Sequence, residues 1–342
     1  MAQLPFAHGG PVLRARLRAQ AADFVVEEVL GFAPDGSGEH VFVQVEKIGA
    51  NTDWVAGRLA AFARVPPAAV GYAGLKDRHA LTWQTFSVHL PGRADPDWSA
   101  LAVPGVRVLA AERHSRKLKR GAHRGNRFRI CLREAEGDHE RAAGRLAALA
   151  ADGVPNYFGE QRFGRDGGNL ELARALFAGQ ALPRAQRGFA LSAARAEIFN
   201  AVLAARVAAG SWNRGLDGEV WMLAGSQSVF GPEPMDEALA RRVSAADIHP
   251  TGPLWGRGNL RSGAAVRVLE ERIASEHADF AQGLERAGLA QERRALRLPV
   301  AGLAWEWQGG AELVLSFELA RGSFATTVLR ELCDWSPAVH SG

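Results

Sequence analysis

The sequence predicts an α+β fold in which residues 1–151 and 300–342 jointly build a mixed β-sheet domain, while residues 152–299 form an inserted, mainly helical domain. Three observations predict it. The first third of the chain alternates apolar and polar residues with period two, the middle switches to helical spacing, and the last forty residues return to period two.

Each element follows from its pattern. Over 39–48, Val41, Val43 and Val45 face one way and Gln44 and Glu46 the other; 82–90 and 128–133 read similarly, as strands. Leu313, Leu315, Phe317 and Leu319 form one apolar strand face near the C-terminus. Between these lie Ala/Leu/Arg/Glu-rich helical stretches at 139–151, 170–178, 192–209, 236–246 and 264–289, with Ser192 as an N-cap and Gly179 and Gly210 as stops. Two domains in series is the competing layout, but a strand pair at the C-terminus alone would leave unpaired edges. The Gly/Pro-rich stretches 34–38, 91–104, 231–234 and 250–263 read as surface loops, and no internal repeat or low-complexity tract is present.

Composition bounds the class. With 342 residues, 47% apolar and 23% charged, the chain can bury a full core. No apolar run approaches a membrane span and the N-terminus has no signal-like apolar region, so a protein without membrane association is expected. Two cysteines about two hundred positions apart, Cys131 and Cys333, make neither a disulfide framework nor a zinc site, and they fit a reducing cytoplasm. A monomer is expected.

The net charge of +4 is unevenly spread. Residues 113–129 hold eight Lys/Arg, two His and no acid, which leaves the rest of the chain at −4. Such polarisation implies one basic stripe, and Arg116, Lys117, Lys119, Arg120 and Arg124 are its candidate RNA-binding residues. The bland alternative is a solvated loop. Gly121, His123, Gly125, Asn126 and Phe128, interleaved with the charges, favour a polyanion surface: flexible backbone, a stacking ring and an amide are what RNA recognition adds to bare charge.

Common catalytic signatures are missing. There is no G-x-x-x-x-G-K-S/T loop, no G-x-G-x-x-G after a strand, no H-E-x-x-H, no C-x-x-C and no G-x-S-x-G. The expected chemistry therefore uses side chains alone, with no metal and no cofactor.

One candidate carboxylate stands out. Gly71-Tyr72-Ala73-Gly74-Leu75-Lys76-Asp77-Arg78-His79-Ala80-Leu81-Thr82-Trp83-Gln84 links two strand-like stretches and sets Asp77 between two cations. Loops on a rigid sheet often carry catalytic groups. Taken alone, a K-D-R cluster reads as a solvated turn.

The motif G-x-K-D-R-x-A-x-T-x-Q formed by these residues closely resembles the signature of the TruD family of tRNA pseudouridine synthases. Four further elements extend the resemblance along nearly the whole chain, in the family's order. Asp23-Phe24-Val25-Val26-Glu27-Glu28 resembles its D-F-x-V-x-E element; Lys117-Leu118-Lys119-Arg120-Gly121 through Gly125-Asn126-Arg127-Phe128 resembles its K-x-G-x-x-x-G-N-x-F element. Val154-Pro155-Asn156-Tyr157-Phe158-Gly159-Glu160-Gln161-Arg162-Phe163-Gly164 is similar to the opening of its inserted domain, and Gly322-Ser323-Phe324-Ala325-Thr326-Thr327-Val328-Leu329-Arg330-Glu331 to its C-terminal motif. Arg18 departs from the lysine that the family often carries a few positions before D-F: the charge survives, and any role that needs a compact ammonium does not. Ala21-Ala22 stands where Pro-Glu is often found.

The resemblance implies a pseudouridine-synthase-type sheet domain and isomerisation of a uridine, at position 13 of tRNA in the family, to pseudouridine without a cofactor. Asp77 is then the catalytic carboxylate, either attacking C1′ or removing the 2′ proton to give a glycal. The uridine must leave its stack at a cost of roughly a few kcal/mol. By the same resemblance Phe24 and Phe324 line the uracil pocket and Asn126 hydrogen-bonds the base edge; the competing readings are ordinary core rings for the two phenylalanines and a turn residue for Asn126. The stretch 157–169, with three aromatics and two arginines, reads as an RNA contact or as an interdomain linker clamped by its aromatics. The linker is the expectation, with Arg162 the residue placed to touch other groups. Two rival functions remain: a non-catalytic RNA-binding or ribosome-associated protein, and a base glycosylase that uses Asp77 to activate water.

Overall fold

A computed structural model of the chain describes residues 4–337. The strands in order are β1 (Leu13–Leu17), β2 (Phe24–Val29), β3 (His40–Lys47), β4 (Val70–Tyr72), β5 (Leu81–His89), β6 (Val106–His114), β7 (Gly125–Gly137), β8 (Val154–Pro155), β9 (Trp221–Leu223), β10 (Val229–Phe230), β11 (Ile248–Leu254), β12 (Glu292–Ala295), β13 (Arg297–Leu298), β14 (Ala301–Gln308), β15 (Glu312–Ala320) and β16 (Cys333–Pro337). The helices are α1 (Thr52–Phe62), α2 (His139–Asp152), α3 (Gly168–Phe177), α4 (Arg184–Ala208), α5 (Glu237–Ser244), α6 (Ala264–Glu276), α7 (Ala278–Arg286) and α8 (Ala325–Leu332).

The described residues group into two compact units. The sheet unit comprises 11–146, 300–325 and 332–337; the helical unit comprises 4–10, 147–299 and 326–331. The grouping departs from boundaries at 151/152 and 299/300 because the chain start is tied to the last turn of α8. The Glu331 carboxylate accepts from the backbone N–H groups of Ala7 (3.1 Å) and His8 (3.2 Å), and Arg330 donates to the Leu4 carbonyl (2.7 Å).

The sheet unit is one mixed sheet of ten strands, ordered β14-β15-β7-β2-β5-β3-β6, with β1 joined to β7 and β16, and β4 to β5. Most pairs are antiparallel; β1·β16 and β2·β5 are parallel. Period two works as expected: Val41, Val43 and Val45 of β3 are fully buried against Phe86 and Val88 of β5, Leu90 just past its end, and Val55 and Leu59 of α1. Two strands that neighbour each other in register, β2 and β7, run from Phe24↔Ile130 to Val29↔Gly125. They carry the sheet's contribution to the site.

The helical unit is centred on α4, whose Ala193, Ala194, Ile198 and Val202 pack with Phe163 and with α7 residues Phe280 and Leu284. Smaller sheets, β10-β9-β11-β12 and β13-β8, complete it. Three local expectations are corrected here. Helix α4 starts at Arg184 behind Pro183, so Ser192 lies inside the helix and is not its cap. The stretch 264–289 breaks at His277, which leaves helical geometry at φ −115°, ψ 39°. The start of 250–263 is no loop: Pro250 and Pro253 sit in β11, almost wholly buried. A proline loses its N–H but keeps its acceptor, and Pro250 O takes the Leu296 N–H at 2.8 Å. Gly179 and Gly210 do follow α3 and α4, at φ +101° and +62°, the left-handed geometry of a helix stop. Helix α4 is also long and apolar enough by length and composition to cross a membrane; half of that stretch is buried in the protein's interior.

Candidate active site

Asp77 sits in the loop between β4 and β5, where both carboxylate oxygens have donors. Oδ1 accepts the His79 N–H at 3.0 Å and Oδ2 meets the Arg18 guanidinium at 2.5 Å. Arg18 follows β1 with φ +60°, a left-handed conformation that costs a non-glycine residue roughly 1–2 kcal/mol. Its Cζ lies 4.2 Å from the centre of the Phe24 ring. One arginine therefore joins the first residue of β2 to the carboxylate, and a planar guanidinium suits both contacts at once. Its Nε is buried without a partner.

The backbone behind Asp77 is clamped. Lys47 Nζ donates to the Ala50 carbonyl (2.8 Å) and to the Asp77 carbonyl (3.2 Å). Thr52 Oγ1 accepts the Lys76 N–H (3.0 Å) and donates to Gln84 Oε1 (3.1 Å), while Gln84 Nε2 donates to the Gly74 carbonyl (2.5 Å). The Lys76 ammonium, nearly excluded from water, meets Glu28 Oε2 at 2.6 Å; Glu28 Oε1 takes the Thr85 N–H at 3.2 Å. Burial pushes the Glu28 carboxyl above its ordinary range, and the Lys76 charge and hydrogen bond oppose that push.

Sequence reasoning missed Lys47, Thr52 and Glu28 as parts of this clamp, although a signal was present. Lys47 continues the buried Val41, Val43, Val45 face of β3, and Glu28 continues the Phe24, Val26 face of β2. A charge on an apolar stripe must find a partner when buried.

Burial lowers Lys47 to about 8, opposed by the nearby Asp77 charge and aided by Lys76. Unfolded chain then binds more protons than folded chain between about pH 8 and the ordinary lysine value near 10.4, so this group's contribution to stability rises with pH across that window. Its charge opposite Asp77 is lost over the same rise. A Lys47→Met protein is expected to turn over about tenfold more slowly, the equivalent of one charged hydrogen bond. It is also expected to lack an alkaline limb near pH 8 that the unaltered protein shows. Matching pH–rate profiles for the two proteins would refute this positioning role.

The remaining candidates are placed as follows. Phe24 is buried and edge-on to Phe128 (6.2 Å, 77°), which stacks on Phe317 (5.4 Å, 28°), so the ring belongs to an aromatic row as well as to the Arg18 contact. Asn126 lies in β7 opposite Glu28 in register, buried, with its Oδ1 lacking any partner. A buried orphan acceptor costs about 1–3 kcal/mol. Asn126→Ala is expected to leave thermal stability unchanged or slightly raised while turnover falls on the order of tenfold to a hundredfold. A fall in stability that matched the loss of turnover would make Asn126 structural. Phe324 precedes α8 and is exposed. Its segment is joined to the basic loop where the Arg321 N–H meets the Arg124 carbonyl (3.2 Å).

The basic stripe is a fastened loop between β6 and β7. Leu118 is buried with Phe42 and Ala73, its N–H donating to Ser87 Oγ (2.9 Å); the Gly121 N–H donates to the Ala73 carbonyl (2.7 Å). Gly125, read as flexible, is required by contact instead, since a Cβ there would lie 2.4 Å from the Leu319 carbonyl oxygen. Charges in the stripe are partly spent inside the molecule. Lys117 Nζ donates to the Ala68 carbonyl (2.6 Å), Arg120 stacks on Tyr72 (3.9 Å), Arg124 approaches Glu318 (3.4 Å), and Arg127 bridges Glu27 and Glu318. Arg116 and Lys119 are exposed. His123 is buried, and burial, then the Lys76 and Arg321 charges, lower it to about 4, so it adds no charge at neutral pH. Among the described residues no group of three His, Cys, Asp or Glu is arranged to hold a metal ion.

Comparison with known proteins adds the family. The family model described as tRNA pseudouridine synthase D (TruD) matches residues 4–176 and 171–332. A tRNA pseudouridine synthase D of Methylococcus capsulatus is 52% identical over 98% of this chain and 95% of its own. One of Aeromonas hydrophila is 48% identical over 99% and 96%. A crystal structure from Methanosarcina mazei that carries the same name superposes with TM-score 0.72 over 96% of this chain and 95% of that one. At 22% identity it speaks for the fold alone.

Proposed function

Because the chain belongs to the TruD family of tRNA pseudouridine synthases, we propose that it isomerises a uridine of tRNA, at position 13, and that Asp77 is the reacting carboxylate. The observation that carries the assignment of Asp77 is its setting: a carboxylate about a quarter exposed on a clamped loop, held by Arg18 at 2.5 Å.

The chemistry is redox-neutral. The C1′–N1 bond breaks, the uracil turns over, C1′–C5 forms, the C5 proton leaves to solvent and N1 gains one. Asp77 either takes C1′ covalently or removes the 2′ proton. Arg18 orients the carboxylate through one N–H and lies on the Phe24 ring. The unpartnered Asn126 Oδ1 accepts from an N–H on the edge of the extruded base. Phe324 gives the base a stacking face, worth about 1–3 kcal/mol per base. Arg116 and Lys119 reach RNA phosphates, with Lys117, Arg120 and Arg124 adding positive potential around them. We assign the protein to the cytoplasm, acting as a monomer.

Tritium release from tRNA labelled at uridine C5 tests the reading. Release with no free uracil is expected. Free uracil would make the protein a glycosylase, and binding without release a non-catalytic RNA-binding protein.

A further inference from the structure

Arg162, in the motif that opens the inserted helical stretch, and Arg294, on β12, meet at one ring. Arg294 Cζ lies 4.2 Å from the centre of the Phe158 ring and Arg162 Cζ lies 5.3 Å from it. Two guanidiniums thus share one phenyl ring, and burial brings neither of them a carboxylate. Arg162 donates from Nη1 to Ser192 Oγ (2.8 Å), and its Nε is buried with no partner. Arg294 donates to Asn156 Oδ1 (2.6 Å) and makes only long contacts, 3.5 Å, to the Asn156 carbonyl. All these acceptors are neutral. Burial, and for Arg294 also the charge of Arg162, holds both guanidiniums below their ordinary range, Arg294 at about 10.

Other buried arginines of the same unit are treated differently. Arg206 meets Glu219 at 2.8 Å, and Arg293 meets Glu270 at 2.8 Å through a paired fork. Each of those charges is cancelled by an acid. The Arg162–Arg294 pair leaves two positive charges at one ring, each within electrostatic reach of the other and neither with an acid, which is unfavourable unless an anion completes it. Its platform is rigid: the Asn200 amide grips the Phe158 backbone N–H and carbonyl, both at 2.9 Å, and Phe199 packs edge-on at 5.4 Å. With the ring already covered by guanidinium, a base cannot stack there. A phosphate, by contrast, accepts from two planar forks at once.

We propose that Arg162 and Arg294 form a phosphate-binding site in the helical unit whose occupant is a phosphodiester of the tRNA backbone. This rests on the reading of the protein as a tRNA-modifying enzyme. It also makes the stretch 157–169 more than a linker: Tyr157 and Phe163 are buried structural rings, while Phe158 with its arginines is a contact.

The test compares the full-length protein with Arg162→Gln, Arg294→Gln and the charge-preserving Arg162→Lys. tRNA affinity is measured across a salt series, together with turnover at saturating tRNA. Each Gln variant is expected to bind about fivefold more weakly near physiological salt, with the slope of log K against log salt shallower by about 0.7–0.9. Turnover at saturation should stay within twofold, and Arg162→Lys should keep the original slope. Unchanged slopes in both Gln variants, with the unaltered protein still making pseudouridine, would overturn this site alone. An unaltered protein that makes none would overturn the functional reading instead. A second arm adds inorganic phosphate at constant ionic strength. A rise in melting temperature that the Gln variants lack supports the anion site, but such a rise with unchanged tRNA slopes would overturn the RNA assignment. Gln variants that melt well below the original would mark the arginines as structural cations and also overturn it.

Discussion

An Asp77→Ala protein is expected to bind tRNA nearly as well as the original and to release tritium from uridine C5 at least about a thousandfold more slowly. The size follows from the role proposed for Asp77, since a positioned acid or base alone contributes about 10²–10⁴ in rate. Folding should hardly notice. The Arg18–Asp77 pair is about a quarter exposed on each side, and ion pairs in such positions are worth roughly 0–1 kcal/mol. Release above a tenth of the original rate would remove Asp77 from the chemistry.

Glu28→Ala should act in the opposite sense, on stability first. It leaves the Lys76 ammonium, 4% exposed, without its counter-charge and strips the Thr85 N–H of its acceptor. Removing one partner of a buried pair typically costs about 3–5 kcal/mol. For a unit of this size that corresponds to a fall of roughly 6–20 °C in the melting temperature of the sheet unit. Replacing both residues, Glu28→Leu with Lys76→Leu, should restore much of the loss, because apolar side chains do not need each other's charge. Turnover should not recover with it, since Lys76 precedes Asp77 and helps set its loop. A Glu28→Ala protein that melts within 2 °C of the original would show that the pair does not hold the sheet unit together.

The fold was legible where one period ran unbroken. The valines of β3 and the Leu313–Leu319 face of β15 announce themselves because a half-buried strand must alternate. Legibility failed where a tertiary partner overrides a local rule. Pro250 and Pro253 look like loop residues, yet β11 pairs through carbonyls that proline retains. Ser192 looks like a helix start but is a mid-helix acceptor for Arg162. Helix α4 begins eight residues earlier, directly behind Pro183, although residues 184–189 of that extension are exposed.

The site divides along the same line. Asp77 was readable only through its motif, because a K-D-R turn has no periodicity to betray it. Its supports were hidden for a different reason. Lys47 and Glu28 lie on β3 and β2, far apart in sequence from the loop they serve, and only pairing of those strands with β5 brings them to it. Arg18 stands where the family often has lysine, and the geometry shows what the longer, planar group accomplishes: one N–H on Asp77 and a face on Phe24.

Carbodiimide mapping of tRNA from a strain lacking the gene tests most directly whether Asp77 of this protein makes pseudouridine in tRNA. Loss of a single modified uridine, at position 13, is the predicted result, with the mark restored by the unaltered gene and not by Asp77→Ala. A full set of tRNA pseudouridines in the deleted strain, or restoration by Asp77→Ala, would contradict it.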